Sequence, residues 1–326
     1  MEDFFGKKNV INLVKKHLWI TLSALGFLLA VCLGVFLLAR PRFVWVVEDQ
    51  FYEKWQQIAP SAPFRMTKMA TLSAIGDTMP RRWYGYRISA PDGDENPIRV
   101  YENPAEAGRS EGALLLALDP WLVFRRAATP PLSREMAERG PPEWGQIFIA
   151  GGDKAAVRAW TAQLLQESPG VFSRDEERWN RIGERLFIGR NFQPGAQTYR
   201  WEQVWPYLLA EDEAVWAYCP LSEIRQLPQN ETNVLAADVF PARPGWSEYG
   251  LQVETLWATP YGSEKNRKKL KSAENWLQTA SAQSQIADAF GWLAAHPQAS
   301  PASPVLQDAH AAWIAASYVW EADWGE

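Results

Sequence analysis

The chain has 326 residues, 47% of them hydrophobic and 22% charged, with a formal net charge of -5 at pH 7. That acidic balance argues against nucleic acid, which rewards clustered Lys and Arg; the single basic cluster, residues 265–271, reads as a solvated helix face. Of the two cysteines only Cys219 lies outside the apolar N-terminal segment, and no Cys/His cluster has metal-site spacing, so no intrachain disulfide, metal or other cofactor is expected.

Residues 18–39 are apolar apart from Thr21 and Ser23, a run long enough to cross a hydrocarbon core, which needs about 20 residues. Lys7, Lys8, Lys15 and Lys16 precede it, so the positive-inside tendency keeps the N-terminus in the cytoplasm. The chain is thereby divided into a cytoplasmic basic tail (1–17), a transmembrane signal-anchor helix (18–39) and an extracytoplasmic domain (40–326). Two other readings of the segment stay open. One is a cleaved secretory signal ending at Leu37-Leu38-Ala39. The other is lipidation at Cys32, against which Val31 occupies the position where a small residue is usual. All three place the main domain outside the cytoplasmic membrane.

Beyond the anchor, strand and helix patterns alternate. FVWVV at 43–47 is a short β-branched apolar run and reads as a buried strand. Asp49 is placed to cap the helix that follows, whose apolar positions are Phe51, Tyr52, Trp55 and Ile58. Residues 83–88 alternate aromatic with polar side chains. ALLLAL at 113–118 reads as a second buried strand closing on Asp119-Pro120-Trp121, and a short helix is expected at 133–139. Residues 147–150 form a third strand, followed by Gly151-Gly152-Asp153 and an amphipathic helix to Gln166. AVWAYC at 214–219 is a strand whose period of two puts Trp216 and Tyr218 on one face. Residues 305–320 carry apolar side chains at helical spacing after Ser303-Pro304, a suitable helix start. Repeated strand–helix units predict an α/β fold with largely parallel strands.

No catalytic signature emerges. The two glycines before Asp153 match neither dinucleotide nor phosphate-loop spacing and read as a plain strand–helix turn. The three histidines, His17, His296 and His310, lie beside no nucleophile motif. The chain is read as a non-enzyme. Its eighteen tryptophans invite both a core role and stacking on sugar rings. Trp55, Trp160, Trp276 and Trp313 fall on helix apolar stripes and are assigned to the core. The expected ligand-facing set lies at the carboxyl ends of strands and in the loops after them, where α/β sheets place ligands. It comprises Glu48, Asp49, Trp121, Trp216, Tyr218, and Trp246 with Tyr249 in a glycine-flanked passage.

The C-terminal third adds a longer pattern. An apolar run through Val253, Leu256 and Trp257 stops at Pro260 and Gly262, and a Ser263-Glu264-Lys265-Asn266 turn follows. Leu270, Ala273, Trp276 and Leu277 then recur at helical spacing, and a glutamine-containing helix ends in GWLAAHP at 291–297. With the Ala237–Pro241 and Gly245–Gly250 passages upstream, this order over 211–298 resembles family 1 extracellular solute-binding proteins of bacterial ABC importers. The resemblance implies a two-lobed periplasmic-binding-protein-like α/β domain that closes by hinge motion over a small-molecule solute. A sugar is the first expectation, with delivery to an ABC permease. Many members of that family diffuse freely or are lipid-tethered, whereas the 18–39 segment makes this chain a single-pass protein of a bacterial cytoplasmic membrane, with its main domain periplasmic. The first half lacks the family's usual long passage in clear form; residues 112–119 are the nearest match. A shortened member could instead serve as a membrane-tethered protein-interaction module partnering another envelope protein, and that is the alternative.

Overall fold

RFVWVV at Arg42–Val47 forms a strand because β-branched and aromatic side chains suit a pleated surface covered on both sides; its last four residues are buried. A computed structural model of the chain describes residues 22–23, 25–31, 42–58, 69–75, 80, 83–90, 98–101, 112–143, 145–149, 154–188, 192–211 and 214–322. The strands in chain order are β1 (Arg42–Val47), β2 (Met69–Thr71), β3 (Trp83–Ser89), β4 (Ile98–Tyr101), β5 (Leu114–Arg126), β6 (Gly145–Phe148), β7 (Gln166–Ser168), β8 (Val171–Phe172), β9 (Ala214–Pro220), β10 (Leu235–Asp238), β11 (Gly250–Tyr261), β12 (Leu293–Ala294) and β13 (Tyr318–Ala322). The main sheet runs β2-β1-β3-β11-β5-β9-β6, with β10 and β12 on β5, β13 on β11, and β4 on β13. Pairing is mixed rather than largely parallel: β11 is antiparallel to both β3 and β5, and β5 is antiparallel to β9.

Two large hydrophobic cores divide this sheet, beside a small cluster of Ala162, Tyr318 and Trp320. The first gathers Trp45, Trp55, Tyr86 and Ile88 with Leu270, Leu277, Ile286 and Phe290. The second gathers Phe124, Ile147, Phe148, Trp160, Trp216 and Tyr218 with Val305, Ala309 and Trp313. Three strands pass between them. β5 gives Leu116 and Ala117 to the first core and Leu118, Leu122 and Phe124 to the second. β11 returns with Leu251 and Val253 in the second core and Leu256 and Ala258 in the first, and β12 splits with Leu293 in one and Ala294 in the other. Leu293 and Ala294 pair with Leu118 and Ala117, so two of the crossings coincide at one level, and the bulge of β11 at Leu256/Trp257 lies beside them. This is a hinge of three strands between two lobes.

Helix ends follow local chemistry. Ser303 accepts the Leu306 N–H and Pro304 opens the helix Pro304–Ala315. Thr279 accepts the Ala282 N–H at the start of Ala280–Phe290, and Gly291 closes it at φ 73°, where a Cβ is penalised. The Trp292 N–H then reaches back to the Ala287 carbonyl at 2.8 Å.

Three sequence expectations change. The strand expected to close at Asp119-Pro120 continues to Arg126. Pro120 lacks an N–H, but it stands where β5 leaves β11, its last partner there, for β9, so the ladder loses little. The C-terminal helix stops at Ala315, and YVWEA becomes β13, as its aromatic and β-branched residues favour. Asp49 caps nothing: the turn Asp49–Phe51 starts without a side-chain cap. In the 18–39 segment, residues 22–23 and 25–31 are helical; its remainder, the 1–17 tail and Gly151-Gly152-Asp153 lie outside the described residues. Among the described residues no helix is long and apolar enough to cross a membrane.

Candidate functional site between the lobes

Strand direction locates the cleft. β1 and β3 are parallel, and β5 runs in the same sense because both β3 and β5 are antiparallel to β11. Since β5 leads into the second lobe, the carboxyl ends of β1 and β3 face that lobe. β9 opposes β5 and β6 follows β9, so their carboxyl ends face back toward the first lobe. Ligands of α/β sheets sit outside the carboxyl ends of strands, which here meet across the hinge.

Glu48 and Asp49 stand at this edge of the first lobe, where the sequence placed them. Both carboxylates are engaged in joining strand ends. Glu48 accepts the Ala90 N–H after β3 at 2.9 Å and the Gln50 amide at 2.7 Å. Asp49 accepts the Ser73 hydroxyl at 2.7 Å and its N–H at 3.3 Å; the hydroxyl bond holds the Asp49 carboxyl below its ordinary range.

The aromatic members of the expected set lie elsewhere. Trp216 and Tyr218 have no exposed surface and Trp121 is buried. The Trp216 indole donates to the Pro130 carbonyl at 2.8 Å, and the Tyr218 hydroxyl to Gln252 at 3.1 Å. Trp121 packs against Tyr218 with ring centres 5.6 Å apart. These are core residues: β9 is covered on both faces, so sharing a face gave no exposure. Trp246 is half-buried under the Arg243 guanidinium, which donates to the Leu164 carbonyl at 2.7 Å. Leu164 ends a helix that runs back from the cleft, so Trp246 sits at the far end of the second lobe. Tyr249, at the start of β11, donates to the Ala312 carbonyl late in Pro304–Ala315, at that same remote end.

What the two lobes do share is a groove of about 330 Å³. One wall is Ile224, Arg225, Leu227, Gln229 and Thr232 of the second lobe. The other is Ser284, Ala287, Asp288 and Trp292 of the first, and Ala299 through Ser303 complete it. Arg225 spans the boundary, its Nη1 donating to the Trp292 carbonyl at 2.9 Å and its Nη2 to Asp288 Oδ1 at 3.0 Å. Its side chain is 23% exposed against 70% for Asp288, so the pair itself adds at most about 1 kcal/mol. The lining is otherwise neutral, a mix of hydroxyls, amides and small apolar groups. Arg225 and Asp288 are 63 positions apart and escaped the sequence reading; no spacing rule connects a residue just past a four-residue helix to a distant helix end. Among the described residues no group of His, Cys, Asp and Glu could hold a metal ion.

Solved structures of sugar- and solute-binding proteins match the fold over most of the chain. The binding protein MsmE of Bacillus subtilis, in an open conformation, superposes with a TM-score of 0.59 at 11% identity, covering 87% of each chain. The chain has the two-lobed α/β fold of bacterial solute-binding proteins. The bacterial solute receptor AcbH, with an exclusive preference for β-D-galactopyranose, gives a TM-score of 0.56 at 13% identity, covering 86% of this chain and 87% of its own. The solute-binding fold also carries enzymes: a eukaryotic thiaminase-I matches with a TM-score of 0.52 at 11% identity, covering 85% of this chain and 93% of its own. No protein-family model matches the chain, and no curated protein matches it in sequence.

Proposed function

We propose that the protein is a non-enzymatic, extracytoplasmic solute-binding protein tethered by residues 18–39. It closes its lobes over a neutral polyhydroxylated solute, a carbohydrate first, and hands it to an ABC permease. The observation that carries this reading is the groove at the hinge, walled by both lobes and holding one guanidinium and one carboxylate within hydrogen-bonding distance of each other. An Arg–Asp pair offers donors and acceptors side by side, the pattern that vicinal hydroxyls satisfy, and its charges cancel, which disfavours a strongly ionic ligand. A ligand bridging the walls stabilises the closed form by mass action.

The test is Arg225→Ala. Loss of hydrogen bonds to a charged group, about 1.5–3 kcal/mol, predicts affinity for the cognate sugar weaker by about 10- to 100-fold, with folding retained. Calorimetric titration of the full chain measures it, and unchanged affinity in a folded variant removes the groove as the site. One observation favours the alternative, a tethered interaction module: Trp292, itself 7% exposed, is the lone aromatic ring lining the groove among the described residues. That reading predicts no saturable sugar binding and co-purification with an envelope protein.

A further inference from the structure

The basic cluster of residues 265–271 sits at the end of the first lobe that points away from the hinge. Lys265, Arg267, Lys268, Lys269 and Lys271 are all exposed. They share residues 263–271 with a single carboxylate, Glu264, and none of them forms an ion pair among the described residues. β11 carries the chain to this end, its last residue Tyr261 pairing with Gly85 near the start of β3. There β3 starts beside β1, with Trp83 opposite Arg42 and Tyr84 opposite Phe43. Gly262 packs against Trp83 and Tyr84, and the Lys269 ammonium stands 5.7 Å from the centre of the Tyr84 ring. Arg42, Phe43, Trp83 and Tyr84 are half-buried. The same end receives the chain from residues 18–39: Arg40 and Pro41 are all that separates that segment from Arg42, a span of at most about 11 Å.

We propose that this end of the first lobe docks on anionic phospholipid headgroups through its five clustered cations, so that hinge motion swings the second lobe over a first lobe held against the membrane. The proposal rests on the tether of residues 18–39 given above. With that segment in a bilayer, so short a spacer keeps the start of β1, and the cluster beside it, near headgroup level. A basic cluster facing open water needs no partner. One held within about a Debye length of lipid phosphates, about 8 Å at physiological ionic strength, feels them strongly. Each Lys or Arg near an anionic surface shifts the docked equilibrium by about fivefold. The half-buried Trp83 and Tyr84 belong to the residue types enriched at membrane–water interfaces. The chain as a whole carries -5 and is repelled by such a surface, which gives this face the orienting role.

A donor dye on Ser272→Cys, exposed beside the cluster, reports the approach to headgroup-labelled acceptor lipid in nanodiscs holding the full chain with Cys32→Ser; Cys219 is buried. Energy transfer is expected to be higher in discs rich in phosphatidylglycerol than in phosphatidylcholine discs, and to fall to the phosphatidylcholine level in high salt. Lys265→Gln, Arg267→Gln, Lys268→Gln and Lys269→Gln together weaken docking by about 600-fold and remove the difference between lipids. Equal transfer in the two lipids, or a lipid and salt dependence unaltered in the quadruple variant, overturns the proposal. A chain that does not enter the discs contradicts the tether instead, and sedimentation with phosphatidylglycerol vesicles then decides. Binding that the quadruple variant loses supports the docking face, and absent or unaltered binding overturns it.

Discussion

Gly85→Ala is expected to unfold the first lobe, at a cost above about 4 kcal/mol, in the tail of single-substitution effects. Gly85 lies in β3 opposite Val44 of β1, and a Cβ built on it falls 1.9 Å from the Val44 carbonyl oxygen. That atom is backbone in a paired strand and cannot step aside without parting β1 from β3. The same oxygen accepts the Tyr261 hydroxyl at 2.8 Å, so the substitution also displaces a bond tying β11 into the lobe. Gly250→Ala is the useful contrast. Its Cβ meets the Tyr318 ring, a side chain rather than backbone, though a buried one hydrogen-bonded to Gln166, and the expected cost is about 1–3 kcal/mol. Denaturant titration of both variants checks the order; equal, small losses would mean that β1 and β3 are not held in this register.

Trp160→Ala is expected to destabilise the second lobe by about 3–5 kcal/mol. The indole is fully buried and stands edge-on to Phe192 at 5.1 Å, Tyr218 at 5.6 Å and Phe240 at 4.9 Å. Truncation removes burial and three ring contacts together and leaves a void that strands and helix cannot close. Trp160→Phe separates size from polarity. The indole N–H has no acceptor, so phenylalanine removes an unpaired buried donor while keeping most of the volume, and its cost is expected to be less than half that of alanine. Both are read from the unfolding midpoint of the second lobe. A phenylalanine variant as damaged as the alanine one would mean that the N–H is bonded in solution.

The same residues explain how far the sequence could be read. RFVWVV, the Ser303-Pro304 helix start and the Gly291 stop were legible because their causes are local: side-chain branching, a capping hydroxyl, a residue tolerant of positive φ. β13 was misread because Leu306, Ala309, Trp313, Ala316 and Trp320 keep helical spacing across a break that the long-range pairing of β13 with β11 and β4 imposes. The site suffered more. Trp216 and Tyr218 do share one face of β9, yet alternation cannot say that the Pro130 carbonyl and Gln252 wait to cover that face. Glu48 and Asp49 follow β1 directly, and chain order alone was enough to put them at a strand's carboxyl end. Arg225 and Asp288 meet only through the tertiary packing of one lobe against the other, a long-range fact with no local trace.

The most direct test is ligand-induced thermal stabilisation of the full chain across sugars, polyols, amino acids and short peptides, followed by indole fluorescence. A solute-binding protein predicts a saturable rise with one carbohydrate class, equivalent to about 2.7 kcal/mol at a hundredfold excess over Kd; in folded Arg225→Ala the rise needs correspondingly more sugar. A flat response to every solute from folded protein would contradict it.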